Sequence, residues 1–140
     1  MAKRVLIVDD HAPTRALIRS ILDAEKNQRF EVVEAASGTE CLKAADSRGP
    51  FDLILLDVTL PDLDGFEVCR ALRRVDTHVP IVFVTAKGDL SDYSTGRAAG
   101  ADSYLVKPIA RAALRSMVGL FTSVARRRDG ADAGRGPDAK

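Results

Sequence analysis

The sequence has few aromatic residues and no large excess of either charge. Aromatic residues make up 5% of the 140 positions and Trp is absent, which argues against a platform on which single-stranded nucleic acid stacks. Lys and Arg number 21 while Asp and Glu number 20, so no overall field attracts nucleic acid or an anionic membrane. We therefore expect no direct nucleic-acid binding and no membrane association.

Cysteines are also scarce, and long apolar runs are missing from the N-terminus. The two cysteines, Cys41 and Cys69, lie in no CxxC pair and at no zinc-ligand spacing, so we expect reduced thiols. The opening residues, MAKRVLIVDD, contain an apolar run of only four residues, too short for a signal peptide or a membrane span. Together these features predict a cytoplasmic protein.

The sequence does contain five apolar, β-branched runs, each followed by a stretch with helical spacing. The predicted strands are Arg4–Asp9, Phe30–Ala35, Asp52–Asp57, Val79–Thr85 and Asp102–Val106, and the predicted helices lie near 13–25, 38–47, 64–75, 90–99 and 110–125. Ser37 and Asp64 are expected to cap helices and Gly100 to end one. The pattern predicts a single-domain, doubly wound α/β fold with five parallel strands. It leaves the strand order open between the flavodoxin-like 2-1-3-4-5 and the dinucleotide-binding 3-2-1-4-5-6.

The C-terminal segment differs in composition from the rest. Residues 126–140, RRRDGADAGRGPDAK, include three Gly and one Pro but no large aliphatic or aromatic residue, so this segment cannot bury a core. We expect the domain to cover residues 1–125 and residues 126–140 to form a disordered tail or linker.

Polar residues follow the predicted strands where parallel strands share one edge. Asp9 and Asp10 follow the first strand, Asp57 the third, Thr85 the fourth and Lys107 the fifth. If the first and third strands are neighbours, the carboxylates of Asp10 and Asp57 approach within roughly 4 to 6 Å. Two such charges about 4 Å apart repel by about 4 kcal/mol at an effective dielectric constant of about 20. Either one carboxyl group keeps its proton or a divalent cation lies among them. The oxygen-only ligands favour Mg²⁺.

The chain lacks the usual phosphate-binding loops. Neither GxxxxGK[ST] nor GxGxxG occurs, so nucleotide binding has no support. A carboxylate can itself accept a phosphoryl group, and because it is already anionic it needs no general base.

Four motifs, in order, carry a resemblance. They are VLIVDD at 5–10, LILLDVTLPDLDGFE at 53–67, VFVTA at 82–86 and AAGADSYLVKP at 98–108. Together they resemble the receiver domain of bacterial two-component response regulators, similar to the chemotaxis regulators, over residues 4 to about 123. The resemblance implies the 2-1-3-4-5 order.

The resemblance also implies roles at the acidic edge. Asp57 would be the phosphoacceptor. Asp10 would bind Mg²⁺ directly, Asp9 largely through water, and the backbone carbonyl of Thr59 would be a further ligand. Lys107 would donate to the phosphoryl oxygens.

Further implied roles concern switching and phosphate lifetime. Thr85 would also donate to the phosphoryl oxygens and, with Tyr104, would act as a switch. Thr59 and Lys87 would tune the lifetime of the phosphate, so Lys87→Ala is predicted to change the dephosphorylation rate. The Lys107–Pro108 peptide bond can be cis.

The expected function is a phosphorylation switch rather than a turnover enzyme. The phosphoryl group would come from a sensor histidine kinase or a phosphotransfer protein. The surface of the fourth helix, fifth strand and fifth helix would signal to an effector protein or a missing output domain, with phosphorylation-dependent dimerisation left open.

The alternatives are a degenerate receiver that binds partners without phosphorylation, a flavodoxin-like cofactor binder and a phosphatase with an Asp nucleophile. A degenerate receiver would usually lack one of the five polar residues that follow the strands, and none is missing here. These five are Asp9, Asp10, Asp57, Thr85 and Lys107.

Overall fold

A computed structural model describes the backbone of residues 2–86 and 90–135, with side chains described for residues 2–86 and 93–123. Strands and helices alternate along the chain. Their bounds are β1 Lys3–Val8, α1 Ala12–Asp23, β2 Phe30–Ala35, α2 Gly38–Arg48, β3 Leu53–Leu56, α3 Gly65–Val75, β4 Ile81–Thr85, α4 Leu90–Ala99, β5 Ser103–Val106 and α5 Arg111–Arg135. In the described ranges, no helix combines the length and apolarity needed to cross a bilayer.

The strands form one parallel sheet in the order β2-β1-β3-β4-β5. This confirms the predicted doubly wound, flavodoxin-like α/β fold and excludes the dinucleotide-binding order. β1 lies beside β3, with Val5 opposite Leu53 and Val8 opposite Leu56. The residues that follow these two strands therefore leave the sheet side by side.

The sheet is buried on both faces because alternate residues of its central strands pack against different helices. On one face, Leu6, Ile54 and Phe83 pack with residues of α2, α3 and α4. On the other face, Ile7 and Leu55 pack with residues of α1 and α5. The two apolar layers hold the strand ends at a common edge.

Helix termini follow local sequence signals. The Ser37 hydroxyl accepts a hydrogen bond from the amide of Glu40, and the Asp64 carboxylate accepts one from Phe66, as predicted for N-caps. Gly100 follows α4 with a φ of +112°, a conformation that favours glycine. Here too the sequence prediction is confirmed.

Some boundaries differ from those predicted. β4 begins at Ile81 rather than Val79, because Pro80 has no N–H with which to join a ladder, although its carbonyl accepts from the amide of Ile54. The backbone of α5 is helical to Arg135, past the predicted end near 125, in a stretch whose Ala and Arg residues favour helix. The predicted tail thus begins as helix, and residues 136–140 lie outside the described residues.

The edge strand β2 carries carboxylates that arginines neutralise. Arg15 and Arg19 of α1 each place Nε 2.8 Å from an oxygen of Glu34. Arg4 of the neighbouring β1 places Nε 3.1 Å from Glu31. Burial acts to raise the pKa of Glu34, but the two arginines outweigh it and lower the pKa below its usual value.

Candidate functional site

Three carboxylates meet at the carboxyl edge of β1 and β3. The amide of Asp57 donates to the carbonyl of Val8 at 2.9 Å, so Asp57 leaves β3 beside Asp9. Carboxylate oxygens of Asp9, Asp10 and Asp57 all lie within 4.8 Å of one another. Asp9 and Asp57 are buried, whereas Asp10 is exposed. The adjacency expected from the parallel sheet is thus what the structure shows.

Lys107 brings an ammonium group to the same place. Its amide donates to the carbonyl of Thr85 at 2.8 Å, which extends the β4–β5 pairing by one step. Its Nζ lies 2.8 Å from Asp9 Oδ2 and 3.3 Å from Asp57 Oδ2. Burial acts to lower the pKa of Lys107, but the two carboxylates outweigh it and raise the pKa above its usual value. Lys107 therefore stays charged at neutral pH. The Lys107–Pro108 peptide bond is cis.

The Asp57 carboxylate is held from two sides. Its Oδ1 accepts a hydrogen bond from the amide of Thr59 at 3.1 Å, while its Oδ2 accepts from Lys107. Burial and the nearby charge of Asp9 raise the pKa of Asp57 above its ordinary value, against the opposing effects of Thr59 and Lys107. Burial of this carboxylate thus outweighs the Thr59 hydrogen bond and the Lys107 ammonium, which favour its charged form.

The donor set fits a hard divalent cation. Asp9 Oδ1 accepts from the amide of His11 at 2.8 Å. Asp9 Oδ2 is buried and in ion-pair range of Lys107, yet it makes no well-aligned hydrogen bond to the described residues. A cluster of carboxylates with a buried, incompletely satisfied oxygen suits Mg²⁺. For Thr59 the structure gives a hydrogen bond from the amide; the ligand role of its carbonyl stays a prediction.

The loop after Asp57 folds back tightly on itself. The amide of Gly65 donates to the carbonyl of Val58 at 2.9 Å, and Thr59 and Asp64 form an antiparallel bridge. A Cβ at Gly65 would lie 2.4 Å from the carbonyl oxygen of Asp57, so the loop closes this tightly only with glycine there.

Thr85 and Tyr104 lie on the β4 and β5 side of the cluster. Thr85 ends β4 opposite Val106 and is 1% exposed. Tyr104 is opposite Phe83, and its ring centroid lies 5.7 Å from that of Phe83 and 5.3 Å from that of Tyr93. Because side chains alternate along a strand, Phe83 and Thr85 share one face. Tyr104 therefore lies along the sheet from Thr85 rather than within the acidic cluster.

Lys87 lies outside the described residues.

Sequence reasoning missed three residues near this site. Asp62 binds the N-terminus of α2, Tyr93 packs on Tyr104, and Gly96 leaves the space that the Tyr104 ring fills. The Asp62 contact joins distant segments and has no local sequence signal. A glycine within a predicted helix could have indicated a close approach at Gly96.

This parallel α/β fold, with three aspartates and Lys107 together at one edge of its sheet, defines the class of protein. The family model of the response regulator receiver domain matches residues 5–119 of the sequence, and the chain belongs to this family. The prediction of that family from the four motifs is confirmed.

The chain is also similar to individual proteins of this kind. The chain is 46% identical over 109 residues to the transcriptional regulatory protein AfsQ1 of Streptomyces coelicolor, covering 78% of this chain and 46% of the relative. It is 41% identical over 108 residues to the DNA-binding response regulator MtrA of Mycobacterium tuberculosis, covering 77% and 45%. The chain thus spans less than half the length of these relatives. A crystal structure of a CheY-like receiver domain protein from Methanospirillum hungatei superposes with a TM-score of 0.81 at 27% identity, covering 91% of this chain and 99% of that one.

Proposed function

We propose that the protein accepts a phosphoryl group on Asp57 from a phosphohistidine of a sensor kinase or phosphotransfer protein. The observation that carries this proposal is the position of the Asp57 carboxylate, which lies beside two further aspartates and within 3.3 Å of an ammonium group. In transfer, a carboxylate oxygen of Asp57 forms a bond to phosphorus while the P–N bond of the donor breaks. The imidazole leaves and takes up a proton.

The chain's own groups supply positioning and charge. Phosphoryl transfer places negative charge on the three peripheral oxygens, so a fixed cation provides most of what the reaction needs. Lys107 is that cation, and the Thr85 hydroxyl is a second donor. The Thr59 amide holds one oxygen of Asp57. The protein promotes only its own phosphorylation and dephosphorylation.

Asp9, Asp10, Asp57 and the backbone carbonyl of Thr59 would hold Mg²⁺. When bound, the ion neutralises the crowded carboxylates and the charge on the phosphoryl oxygens.

The direct test is phosphorylation by a small phosphodonor with Mg²⁺. The parent should gain the mass of one phosphoryl group, whereas Asp57→Asn should gain none. Asp46→Asn, a change to an exposed aspartate on α2, is the matched control and should react like the parent. A parent that gains no mass contradicts the proposal and leaves a phosphorylation-independent interaction module as the better account.

The proposed response runs from Asp57 through Thr85 to Tyr104. A new dianion would draw the Thr85 hydroxyl inward and let the Tyr104 ring turn into the space beside it, which biases an existing two-state equilibrium. The altered surface of α4, β5 and α5 would contact an effector protein, an output domain of a longer chain or a second copy. If Thr85→Ala binds its partner with the same phosphorylation dependence as the parent, this route is wrong.

The output domain and the cellular location are parts of the same proposal. MtrA is described as DNA-binding, and for the present chain such an output is proposed only through a further domain. The reduced state expected of Cys41 and Cys69 suits a cytoplasmic location.

A further inference from the structure

The loop that follows the phosphoacceptor is anchored on the N-terminus of α2. One Asp62 oxygen accepts a hydrogen bond from the amide of Gly38 at 2.8 Å. The other accepts from the amide of Thr39 at 3.0 Å and from the Thr39 hydroxyl at 2.5 Å. Although Asp62 is exposed, these donors lower its pKa to about 2, the Thr39 hydroxyl contributing most. The carboxylate is therefore charged and clamped at neutral pH.

A second contact shows that the loop is fitted to this helix. A Cβ at Gly38 would lie 2.9 Å from the Cβ of Leu63 and 2.9 Å from a methyl of Val68. The absence of a side chain at Gly38 thus lets the loop approach the helix backbone. Asp62 supplies the polar half of the contact and Leu63 the apolar half.

The anchored segment is continuous with the groups that hold Asp57. Thr59 donates its amide to Asp57 Oδ1 and also pairs with Asp64, two residues beyond Asp62. Because Gly65 closes the loop against Val58, residues 57–65 form one tight unit. A displacement of this unit at Asp62 would move the Thr59 amide.

The other side of the anchor leads to Asp9. α2 begins three residues after the end of β2. The last residue of β2, Ala35, accepts a hydrogen bond from the amide of Asp9 at 3.0 Å. The amide of Asp57 in turn donates a hydrogen bond to the carbonyl of Val8. Asp62 therefore closes a ring of contacts that holds the Asp9 and Asp57 carboxylates in register beyond the ends of their strands.

We propose that Asp62, through its clamp on Gly38 and Thr39, is a positioning residue that sets the geometry of the phosphoacceptor and its metal ligands. This inference rests on the proposed function of Asp57. Asp62 does not itself touch the reacting atoms; it acts through the Thr59 amide and the shared backbone of the loop.

The test compares Asp62→Ala, Thr39→Val and Thr39→Ser with the parent, and uses Asp46→Asn as a control on the same helix. Two quantities are measured. One is the rate of phosphorylation by phosphoramidate over a range of Mg²⁺ concentrations, divided by the folded fraction from urea unfolding. The other is the ¹H–¹⁵N resonance of the Thr59 amide without donor.

Asp62→Ala should slow phosphorylation about tenfold, the lower end of the loss seen when groups that orient metal ligands are removed. It should also raise the half-saturating Mg²⁺ concentration and shift the Thr59 resonance. Thr39→Val should give a smaller loss, while Thr39→Ser, which keeps the hydroxyl, should restore the parent rate. Asp46→Asn should match the parent throughout.

A parent-like rate and an unmoved Thr59 resonance in Asp62→Ala would overturn the inference while the proposed function stood. Equal slowing in Asp62→Ala and Asp46→Asn would also overturn it. A parent that takes up no phosphoryl group would instead remove the proposed function, and the inference with it.

Discussion

Asp57 is a buried carboxylate beside the buried carboxylate of Asp9, with one ammonium, that of Lys107, shared between them. Like charges in such a place destabilise the folded state, because they repel each other and have lost most of their hydration. Crowding of this kind is typical of sites arranged for chemistry rather than for stability. Asp57 therefore gives a test that does not depend on any partner.

Asp57→Asn should stabilise the fold at pH 7 in the absence of divalent cations. Removing one of the crowded charges leaves Lys107 paired with Asp9 at 2.8 Å. We expect a gain of about 1 kcal/mol in the free energy of unfolding, which is about 3 °C in Tm for a domain of this size. Thermal unfolding in a chelating buffer measures it.

The exposed control Asp46→Asn should change stability by less than about 0.5 kcal/mol. A lower Tm for Asp57→Asn than for the parent would mean that hydrogen bonds to the carboxylate outweigh the repulsion.

At the scale of elements, α4 is fitted to β5 at one glycine. A Cβ at Gly96 would lie 2.9 Å from both Cε1 and the hydroxyl oxygen of Tyr104 and 3.1 Å from Phe83. The Tyr104 atoms are the far end of a side chain that can turn, so the ring can move away. The packing of α4 on β5 and the orientation of Tyr104 are therefore linked.

Gly96→Ala should reorient the Tyr104 ring with little net change in stability. Replacing a helical glycine by alanine gains about 1 kcal/mol in helix propensity, and the displaced ring loses contacts of similar magnitude. Near-ultraviolet circular dichroism and the ring resonances of the two tyrosines report the change.

Gly119→Ala is the matched control in α5, because its Cβ would meet nothing within 4 Å. It should gain about 1 kcal/mol and leave the tyrosine signals unchanged. An unmoved Tyr104 in Gly96→Ala would show that α4 shifts instead.

The facing helices α2 and α3 each bury one cysteine in the same apolar layer. Burial raises the pKa of Cys41 to about 12 and that of Cys69 to about 11, whereas an unfolded thiol titrates near about 8.5. Alkylation requires the thiolate. The folded protein should therefore react with iodoacetamide slowly at pH 8, and the urea-unfolded protein quickly.

The same shifts fix the direction of a pH effect on stability. Above about pH 8.5 the unfolded chain loses thiol protons that the folded chain keeps, so the free energy of unfolding falls as pH rises. Mass spectrometry of the alkylated protein and urea titrations at pH 8 and about pH 9.5 measure both effects. Rapid labelling of a cysteine in the native protein would contradict the packing described for these helices.

At the scale of the whole molecule, we expect the C-terminal tail, residues 126–140, to contribute little to the packed unit. Among the residues whose side chains are described, the buried positions of α5 end with Thr122. A chain ending at Ala125 should unfold with a free energy within about 0.5 kcal/mol of the full chain and should be phosphorylated at the same rate. Chemical denaturation and the phosphodonor assay check this; a loss of more than about 2 kcal/mol, typical of disrupted packing, would place residues 126–140 in the folded unit.

Much of this architecture could be predicted from the sequence. The apolar runs located all five strands, since strands buried on both faces read as continuous Val, Ile and Leu. Periodicity left the strand order open, and the motif resemblance supplied it. The adjacency of Asp9, Asp57 and Lys107 followed from their positions after strands of one parallel sheet.

Other features could not be predicted because they depend on contacts between distant segments. The clamp of Asp62 on α2 joins a turn residue to a helix more than 20 positions away, and nothing local distinguishes that aspartate from an ordinary turn residue. The fit of Gly96 to Tyr104 likewise appears only once α4 packs on β5.

The charged residues of the outer strand β2 oppose the pairing of this edge of the sheet with another sheet. A second molecule adding a strand there would have to approach Glu31 and Glu34 and displace or desolvate the arginines that bridge to them. Charged residues on an open edge oppose such growth. The β2 edge is therefore a poor template for the addition of another strand, and we expect any association on signalling to use another surface.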